Sequence, residues 1–291
     1  MGWKTVVITK RAKLDFHLNH LVVRSADTTT KIFIGDISTL IIETTAVSLT
    51  AFLLNELIKQ KVKIIFCDEK RLPSAELMPF YGSHDTSDKI KKQINWKPKI
   101  KTEVWTRILA EKIKQQAFVL EKQNLEQHKL LKQYIDEIEL NDKTNREGHA
   151  AKVYFNALFG KQFSRNADIA INAALNYGYA ILLSAFSREI TANGYLTQLG
   201  IGHENQFNHF NFACDIMEPF RPLVDLHTIK MKPEKFDTEE KHKMVSLLEK
   251  QIFINNTKQY LPNAIRIYSK SIFDALNESD VSKIRFYKYE L

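Results

Sequence analysis

Short apolar runs dominate the first part of the chain and predict β-strands. Five segments rich in Val, Ile, Leu and Thr are separated by Asp, Asn and Gly, which favour turns. Residues 48–60 instead place apolar side chains at helical spacing, with Ser48 as the expected N-cap, and 62–67 returns to a strand pattern. The five segments are 5–9, 13–18, 21–24, 31–34 and 39–44.

From residue 101 onward the apolar positions recur at helical spacing. A polar, turn-prone stretch at 82–88 precedes this part. The pattern predicts an α+β fold, with a small N-terminal β domain with one helix at 1–84, a linker at 85–100 and a larger all-α domain at 101–291. The predicted helices cover 104–123, 125–138, 147–159, 169–192, 204–218, 238–250 and 269–276.

Two stripes run along the helix predicted over 204–218. One is apolar, and the other carries only oxygen- and nitrogen-bearing side chains and ends in Asp215 and Glu218. Two neighbouring anions repel unless a cation lies beside them. Pro219 has no N–H to bond back to Asp215, so the helix should kink or end just past Glu218. An ordinary solvated face, with Glu218 paired to Arg221, is the alternative. The apolar stripe is Phe207, Phe210, Cys214 and Met217, and the polar stripe begins with Asn208 and Asn211.

Another carboxylate, Glu147, shares a helix face with Ala150 and Tyr154. We expect this face to pack, and a carboxylate placed there must be paired, protonated or bound to a metal. The alternative is a first-turn glutamate favoured by the helix dipole, in a helix capped by Thr144 or Asn145.

Charge is unevenly distributed along the chain. The net charge is +8, yet eleven Lys and Arg face ten Asp and Glu through Asp88, so nearly all of the excess lies beyond. A segment with nine basic residues follows, with only Glu103 and Glu111 opposing them and Trp96 and Trp105 interleaved. Such a segment can neutralise phosphates and stack on bases, or it is a solvated helix face with two core tryptophans. The nine are Lys89, Lys91, Lys92, Lys97, Lys99, Lys101, Arg107, Lys112 and Lys114.

Cysteine usage and hydropathy indicate a cytoplasmic protein. Cys67 and Cys214 have neither metal-site nor disulfide spacing, so we expect buried thiols in a reducing compartment. No run approaches the length of a membrane span, and the start lacks the features of a secretion signal.

Three motifs, in this order and spacing, resemble one protein family. They are Asn-Arg-Glu-Gly-His-Ala-Ala-Lys-Val-Tyr-Phe at 145–155, Leu-Asn-Tyr-Gly-Tyr-Ala-Ile-Leu at 175–182, and His203 followed by Asp-Ile-Met-Glu-Pro-Phe-Arg-Pro at 215–222. Over nearly its whole length the chain resembles CRISPR-associated protein one, the integrase and endonuclease that inserts new spacers into CRISPR arrays. Segment 65–82 is similar to the version found in type II systems.

The resemblance implies a metal site. In the family a Glu, a His and an acidic residue hold a divalent ion, and by motif these are Glu147, His203 and Glu218, which would be both catalytic and metal-binding. Asp215 is the supporting acid, and whether Glu218 or Asp215 is the direct third ligand stays open. Two carboxylates with an imidazole suit Mg²⁺ or Mn²⁺.

Phosphodiester chemistry follows from such a site, because a divalent metal can neutralise the phosphate and activate an oxygen nucleophile. With a DNA 3′-hydroxyl the outcome is strand transfer, and with water it is a nick. An ion pair with a nearby acid is the alternative for each candidate phosphate contact. These candidates are Arg146, Lys152, Arg165, Arg188 and Arg221.

The function hypothesis is therefore an adaptation integrase that joins the 3′-hydroxyl ends of short foreign double-stranded DNA to the leader-proximal repeat of a CRISPR array. The alternatives are a metal-dependent nuclease that cuts branched DNA in repair and a non-catalytic basic scaffold that binds nucleic acid. The resemblance further implies a homodimer formed through the β domain. Two such dimers would be bridged by a dimer of a small ferredoxin-like partner into a heterohexamer, with other type II CRISPR proteins as further partners.

Overall fold

Two four-stranded sheets build the N-terminal part. The structure, a computed structural model, describes residues 4–69, 71, 73–77 and 83–289. Residues 70, 72 and 78–82 of the segment that resembles type II members lie outside the described residues. The strands are β1 (Lys4–Ile8), β2 (Ala12–His17), β3 (His20–Arg24), β4 (Thr29–Phe33), β5 (Ile37–Ile42), β6 (Val47–Leu49), β7 (Lys63–Cys67) and β8 (Pro73–Leu77), and helix α1 (Ala51–Lys59) lies between β6 and β7.

The first sheet has the order β1-β5-β7-β8, with β8 antiparallel to an otherwise parallel set, and the second has the order β4-β3-β2-β6. Helix α1 buries Leu53 and Leu57 in the same core as Leu14, Leu21 and Leu40. The predicted strands and helix are confirmed with small shifts at their ends, while β6 and β8 were not predicted. Thr50, not Ser48, caps α1, because its hydroxyl accepts from the N–H of Leu53 at 3.2 Å.

The C-terminal part is mostly helical, which confirms the α+β class. It is not all-α, because it also contains an antiparallel hairpin. The predicted linker 85–100 holds a helix and the start of the next one, and Trp96 between them is buried. The helices are α2 (Thr86–Ile94), α3 (Pro98–Lys122), α4 (His128–Asp136), α5 (Arg146–Phe159), α6 (Ala170–Ala192), α7 (Asn211–Met217), α8 (Arg221–Met231), α9 (Thr238–Val245) and α10 (Leu261–Glu278), and the hairpin strands are β9 (Gln251–Ile254) and β10 (Thr257–Tyr260).

Helix α6 runs through a core that both parts of the chain share. Its Leu175, Leu182 and Phe186 are fully buried, and Ile65 and Cys67 of the first sheet belong to the same apolar cluster. The prediction of a buried Cys67 is confirmed, and burial raises the pKa of its thiol to about 12. Among the described residues, none of the helices combines the length and the apolar character needed to cross a bilayer.

The helix predicted over 204–218 was wrong in its first half, since α7 begins only at Asn211. The side chains of Asn205 and Asn208 accept from the N–H groups of Phe207 and Phe210, each at 2.9 Å. Such local bonds compete with helix formation. Phe207 is therefore 81% exposed instead of lying in the core. The kink at Pro219 is confirmed: α7 ends at Met217, a 3-10 turn covers Glu218–Phe220, and α8 follows.

Candidate functional site

Two predicted ligands meet at one lysine. The Nζ of Lys112 lies 2.5 Å from Glu147 Oε1 and 2.5 Å from Glu218 Oε2. Both oxygens contact the same nitrogen, so they are at most twice that distance apart. Glu147 comes from the first turn of α5 and Glu218 from the turn after α7, and α3, which carries Lys112, packs against both. Lys112, which belongs to the basic segment that the sequence left open between nucleic-acid binding and a solvated helix face, lies between the carboxylates.

The start of α5 is fixed by Asp142, which the sequence pattern did not single out. Its carboxylate accepts from the N–H groups of Arg146 at 2.7 Å and Glu147 at 3.0 Å. Neither Thr144 nor Asn145 provides the cap that was predicted: Asn145 has a φ of 54° and makes no side-chain cap bond. The free N–H groups of a first helical turn need such an acceptor. Asp142 therefore holds the turn from which Glu147 reaches Lys112.

Glu218 is buried among positive charges. Arg221 Nε donates to its Oε1 at 2.8 Å, and the Lys112 ammonium lies 2.5 Å from its Oε2. Burial would raise the pKa of Glu218, but the charges of Lys112 and Arg221 outweigh burial and lower this pKa to about 2. Burial likewise opposes the charge of Lys112, but Glu218 and Glu147 outweigh it and raise the lysine pKa. Lys112 and Glu218 are therefore both ionised at neutral pH.

Asp215 organises the loop that carries His203. It is fully buried, and it accepts from the backbone N–H groups of Ile201 at 2.6 Å, Gly202 at 3.0 Å and His203 at 2.8 Å. The Nδ1 of the His203 ring is a further 2.6 Å contact. This hydrogen bond to Asp215 raises the pKa of His203, against the effect of burial. The ring of Trp105 stands 5.4 Å from the imidazole and helps to fix its position.

This geometry bears on which acid would bind a metal directly. Each Asp215 oxygen already receives two N–H donors, whereas Glu218 Oε2 is buried and faces the ammonium of Lys112 at 2.5 Å instead of a backbone N–H. Metal-binding histidines commonly donate their second ring nitrogen to a carboxylate, as His203 Nδ1 does here, and that leaves Nε2 for a ligand. We therefore favour Glu218 as the ligand and Asp215 as the acid that orients His203.

The donor set fits a divalent cation in charge and chemistry. An ammonium placed between two carboxylates, one of them buried, marks a position that requires positive charge. Across the described parts of the chain, however, no three His, Cys, Asp or Glu side chains stand close enough together to hold a metal ion. His203 is near enough to Glu218 for each to shift the pKa of the other. Two of the three predicted ligands thus meet, and the third is close enough for its charge to lower the pKa of Glu218.

A buried network lies behind this site and was missed in the sequence. Tyr154 and Tyr179 donate to the carboxylate of Asp225 at 3.0 and 2.5 Å. Burial raises the pKa of Asp225 to about 6. The guanidinium of Arg221 lies 4.8 Å from the centre of the Tyr179 ring, so the network supports the residue that holds Glu218. The only signal in the sequence was a carboxylate one helical turn after Arg221 in a largely apolar run.

Four of the five predicted DNA contacts are engaged by protein groups, and Lys152 is exposed. For three of the arginines the structure shows the ion pair that the sequence analysis gave as the alternative. These arginines are also partly buried. Arg146 pairs with Glu137 at 3.0 Å, Arg165 donates to Asn172 and Asn176, Arg188 pairs with Glu189 and donates to the Lys61 carbonyl, and Arg221 pairs with Glu218.

The aromatic residues of the basic segment pack inward. Trp96 is buried and donates to Asn277 Oδ1 at 2.9 Å, and Trp105 is half-buried beside His203. The core alternative is thus confirmed for Trp96. Several lysines of the segment pair with acids three or four residues away in the sequence. These pairs are Lys89 with Asp85, Lys92 with Asp88, Lys99 with Glu103 and Lys114 with Glu111.

Comparison with known proteins agrees with the motifs. Residues 5–259 match the family model described as CRISPR associated protein Cas1. The chain is 36% identical over 232 residues to the CRISPR-associated endonuclease Cas1 of Neisseria meningitidis serogroup C (strain 8013), covering 79% of this chain and 76% of that protein.

Solved structures share the fold. A casposase bound to integration product has a TM-score of 0.79 at 18% identity, covering 96% of this chain and 92% of the casposase. A chain of a Cas6-RT-Cas1--Cas2 complex has a TM-score of 0.74 at 17% identity, covering 97% of this chain and 36% of that longer chain. With the motifs, the fold and the family match in agreement, the chain belongs to the CRISPR associated protein Cas1 family.

Proposed function

We propose that this Cas1 family member is a metal-dependent DNA endonuclease and strand transferase of CRISPR adaptation. It would join the 3′-hydroxyl ends of short foreign duplexes to the leader-proximal repeat of a CRISPR array. The name of the Neisseria relative and the integration product bound by the like-folded casposase support this assignment. The observation that carries the proposal is the meeting of Glu147 and Glu218, from separate elements, around one positive charge, with His203 close enough to lower the pKa of Glu218.

In this proposal Glu147, Glu218 and the Nε2 of His203 hold one Mg²⁺ or Mn²⁺. When bound, the ion supplies the charge that neutralises the target phosphate and activates the attacking oxygen. Asp215 holds the imidazole in its tautomer through Nδ1, and Arg221 holds Glu218 through Oε1. In strand transfer the 3′-oxygen forms a new bond to phosphorus, a strand P–O bond breaks, and the hydroxyl proton passes to the leaving oxygen. Water in place of the 3′-hydroxyl gives a nick.

DNA binding would rely on the positive charge beyond the β domain. Lys152 is exposed on α5, the helix that carries Glu147, which makes it the leading candidate for a phosphate contact. Arg146, Arg165 and Arg221 already contact protein groups. From its present position, each guanidinium could contact a phosphate only while it also keeps its protein contact. Arg188 joins α6 to the Lys61 carbonyl, and this bond suits a structural role as well as a DNA contact.

The assembly is proposed to be a homodimer built through the β domain. A dimer of a small ferredoxin-like, Cas2-type partner would bridge two such dimers into a heterohexamer. Support comes from the Cas6-RT-Cas1--Cas2 complex, in which a chain of the same fold occurs. We expect the assembly to work in the cytoplasm.

The test offers a labelled duplex with free 3′ ends and a supercoiled plasmid carrying the repeat, together with the small partner protein. Wild type with Mg²⁺ or Mn²⁺ should yield plasmid joined to the label, and EDTA should abolish the product. Glu147→Gln and His203→Ala should each lower joining by more than about a hundredfold, because even outer partners of metal ligands cost 10–100-fold. Both variants should keep cooperative unfolding.

Two controls sharpen the result. Glu126→Gln makes the same chemical change at an exposed residue that pairs with Lys129, and it should join like wild type. A duplex with dideoxy 3′ ends should abolish joining but leave nicking by water. Cutting without joining would favour the repair nuclease, and full activity of Glu147→Gln or His203→Ala would refute the site. A protein that binds duplex yet gives no product with either metal would be the basic scaffold.

A further inference from the structure

Lys112 differs from other lysines of its helix. Its side chain is only 11% exposed, whereas that of Lys114, two residues along α3, is 59% exposed and pairs with Glu111. Its neighbours Ile108, Leu109 and Ile113 are buried, so the stem of Lys112 passes through apolar packing. Burying an ammonium is costly unless it is paired. The position of Lys112 is therefore specific to the two carboxylates that it contacts.

The charges around Lys112 balance. Lys112 and Arg221 bring two positive charges, and Glu147 and Glu218 bring two negative ones, in one contiguous set of ion pairs. Without Lys112, the two carboxylates would face each other with Arg221 on one side only, and like charges at this separation repel strongly when partly buried. The lysine therefore keeps the two ligands together when no metal is bound.

A divalent ion bound by Glu147 and Glu218 requires the same space. The Lys112 nitrogen already contacts one oxygen of each carboxylate, and a doubly charged ion placed among these oxygens would repel the ammonium. Both cations cannot lie between the carboxylates at once. Entry of the metal thus requires the lysine to move out of the pair.

We propose that Lys112 is an internal counter-ion that holds the carboxylate pair in the metal-free protein and competes with the catalytic metal for it. This inference rests on the proposed function, because it assumes that Glu147 and Glu218 are the metal ligands. The lysine preserves the geometry of the ligands before loading and weakens the apparent affinity for the ion. Metal loading is then coupled to a movement of one side chain of α3.

The test measures metal binding without DNA, so it does not depend on activity. Mn²⁺ is titrated into the full-length protein, and the free ion is followed by electron paramagnetic resonance. Lys112→Gln removes the charge and keeps a hydrogen-bond donor, and Lys112→Met removes both in case one variant fails to fold. We expect each to bind Mn²⁺ roughly tenfold more tightly or better, because no ammonium has to be displaced. Lys114→Gln, the matched loss of charge on the same helix, should bind like wild type.

Thermal unfolding gives a second readout. In EDTA the midpoint of Lys112→Gln should lie below that of wild type, because the carboxylates lose their counter-ion, and Mn²⁺ should raise it by more than it raises the wild-type midpoint. Tight binding should disappear in Lys112→Gln combined with Glu147→Gln. If Lys112→Gln binds Mn²⁺ no better than wild type, although Glu147→Gln abolishes binding, the competition is refuted and the metal site stands. If no variant shows binding that depends on Glu147, the metal site itself fails, and the competition with it.

Discussion

Replacing Asp215 by Asn tests whether this acid organises the His203 loop. The two side chains have nearly the same shape, so the change removes charge and one acceptor oxygen without leaving a cavity. Each Asp215 oxygen receives two N–H donors, and an Asn oxygen can keep only one of these pairs. The amide NH₂ would then face the other two N–H groups.

The magnitude follows from those lost bonds. A hydrogen bond to a charged group contributes about 1.5–3 kcal/mol, so losing two gives a cost of about 3–6 kcal/mol in the free energy of unfolding. Because hydrogen bonding to Asp215 raises the pKa of His203, the variant should also lower that pKa. The His203 contribution to wild-type stability is present below the ordinary histidine pKa of 6.5 and is lost as pH rises through the raised folded value.

Urea unfolding followed by circular dichroism measures the stability, and NMR of the histidine ring in EDTA measures the pKa. Asp136→Asn, at an exposed residue at the end of α4, is the matched control and should change stability by less than about 0.5 kcal/mol. A D215N protein that unfolds like wild type and keeps the His203 pKa would refute the organising role and reopen Asp215 as a direct ligand.

Three further results are expected. Duplex binding should weaken steeply with salt because counterions are released from phosphates, and a flat response in filter binding would argue against phosphate contacts. Burial raises the pKa of Asp225 from 3.8 to about 6. Between these two pH values Asp225 therefore binds a proton in the native state but not in the unfolded chain. Wild-type stability should therefore fall relative to Asp225→Asn by about 2 kcal/mol from pH 4 to 7 in urea titrations, and a constant difference would contradict this. Gly178→Ala would place a Cβ 2.4 Å from Val224 Cγ1 and should lower the free energy of unfolding by roughly 1–3 kcal/mol in calorimetry. An unchanged midpoint would mean that α8 shifts to accept the methyl group without cost.

Local pattern was sufficient for most elements. Strands β1 to β5 and β7 and helices α5 and α6 follow from apolar pattern, because the signal for each lies within a few residues. Segment 204–210 departed from the helical pattern because Asn205 and Asn208 bond to nearby backbone N–H groups. The residues that cause this short-range competition are visible in the sequence, but hydrophobic periodicity does not take their hydrogen bonds into account.

The sequence by itself determined the fold class, the family and the set of Glu147, His203, Asp215 and Glu218 as candidate chemistry. Only the tertiary structure decided what each acid contacts. The oxygens of Asp215 accept hydrogen bonds from the loop that precedes α7, while Glu218 faces a lysine from α3. Lys112 is 35 residues from Glu147 and, in sequence, looks like the eight other basic residues of its segment. Its role comes from the packing of α3 across two other elements, which buries that one ammonium between two carboxylates. Long-range burial of charge leaves no periodic trace in a sequence.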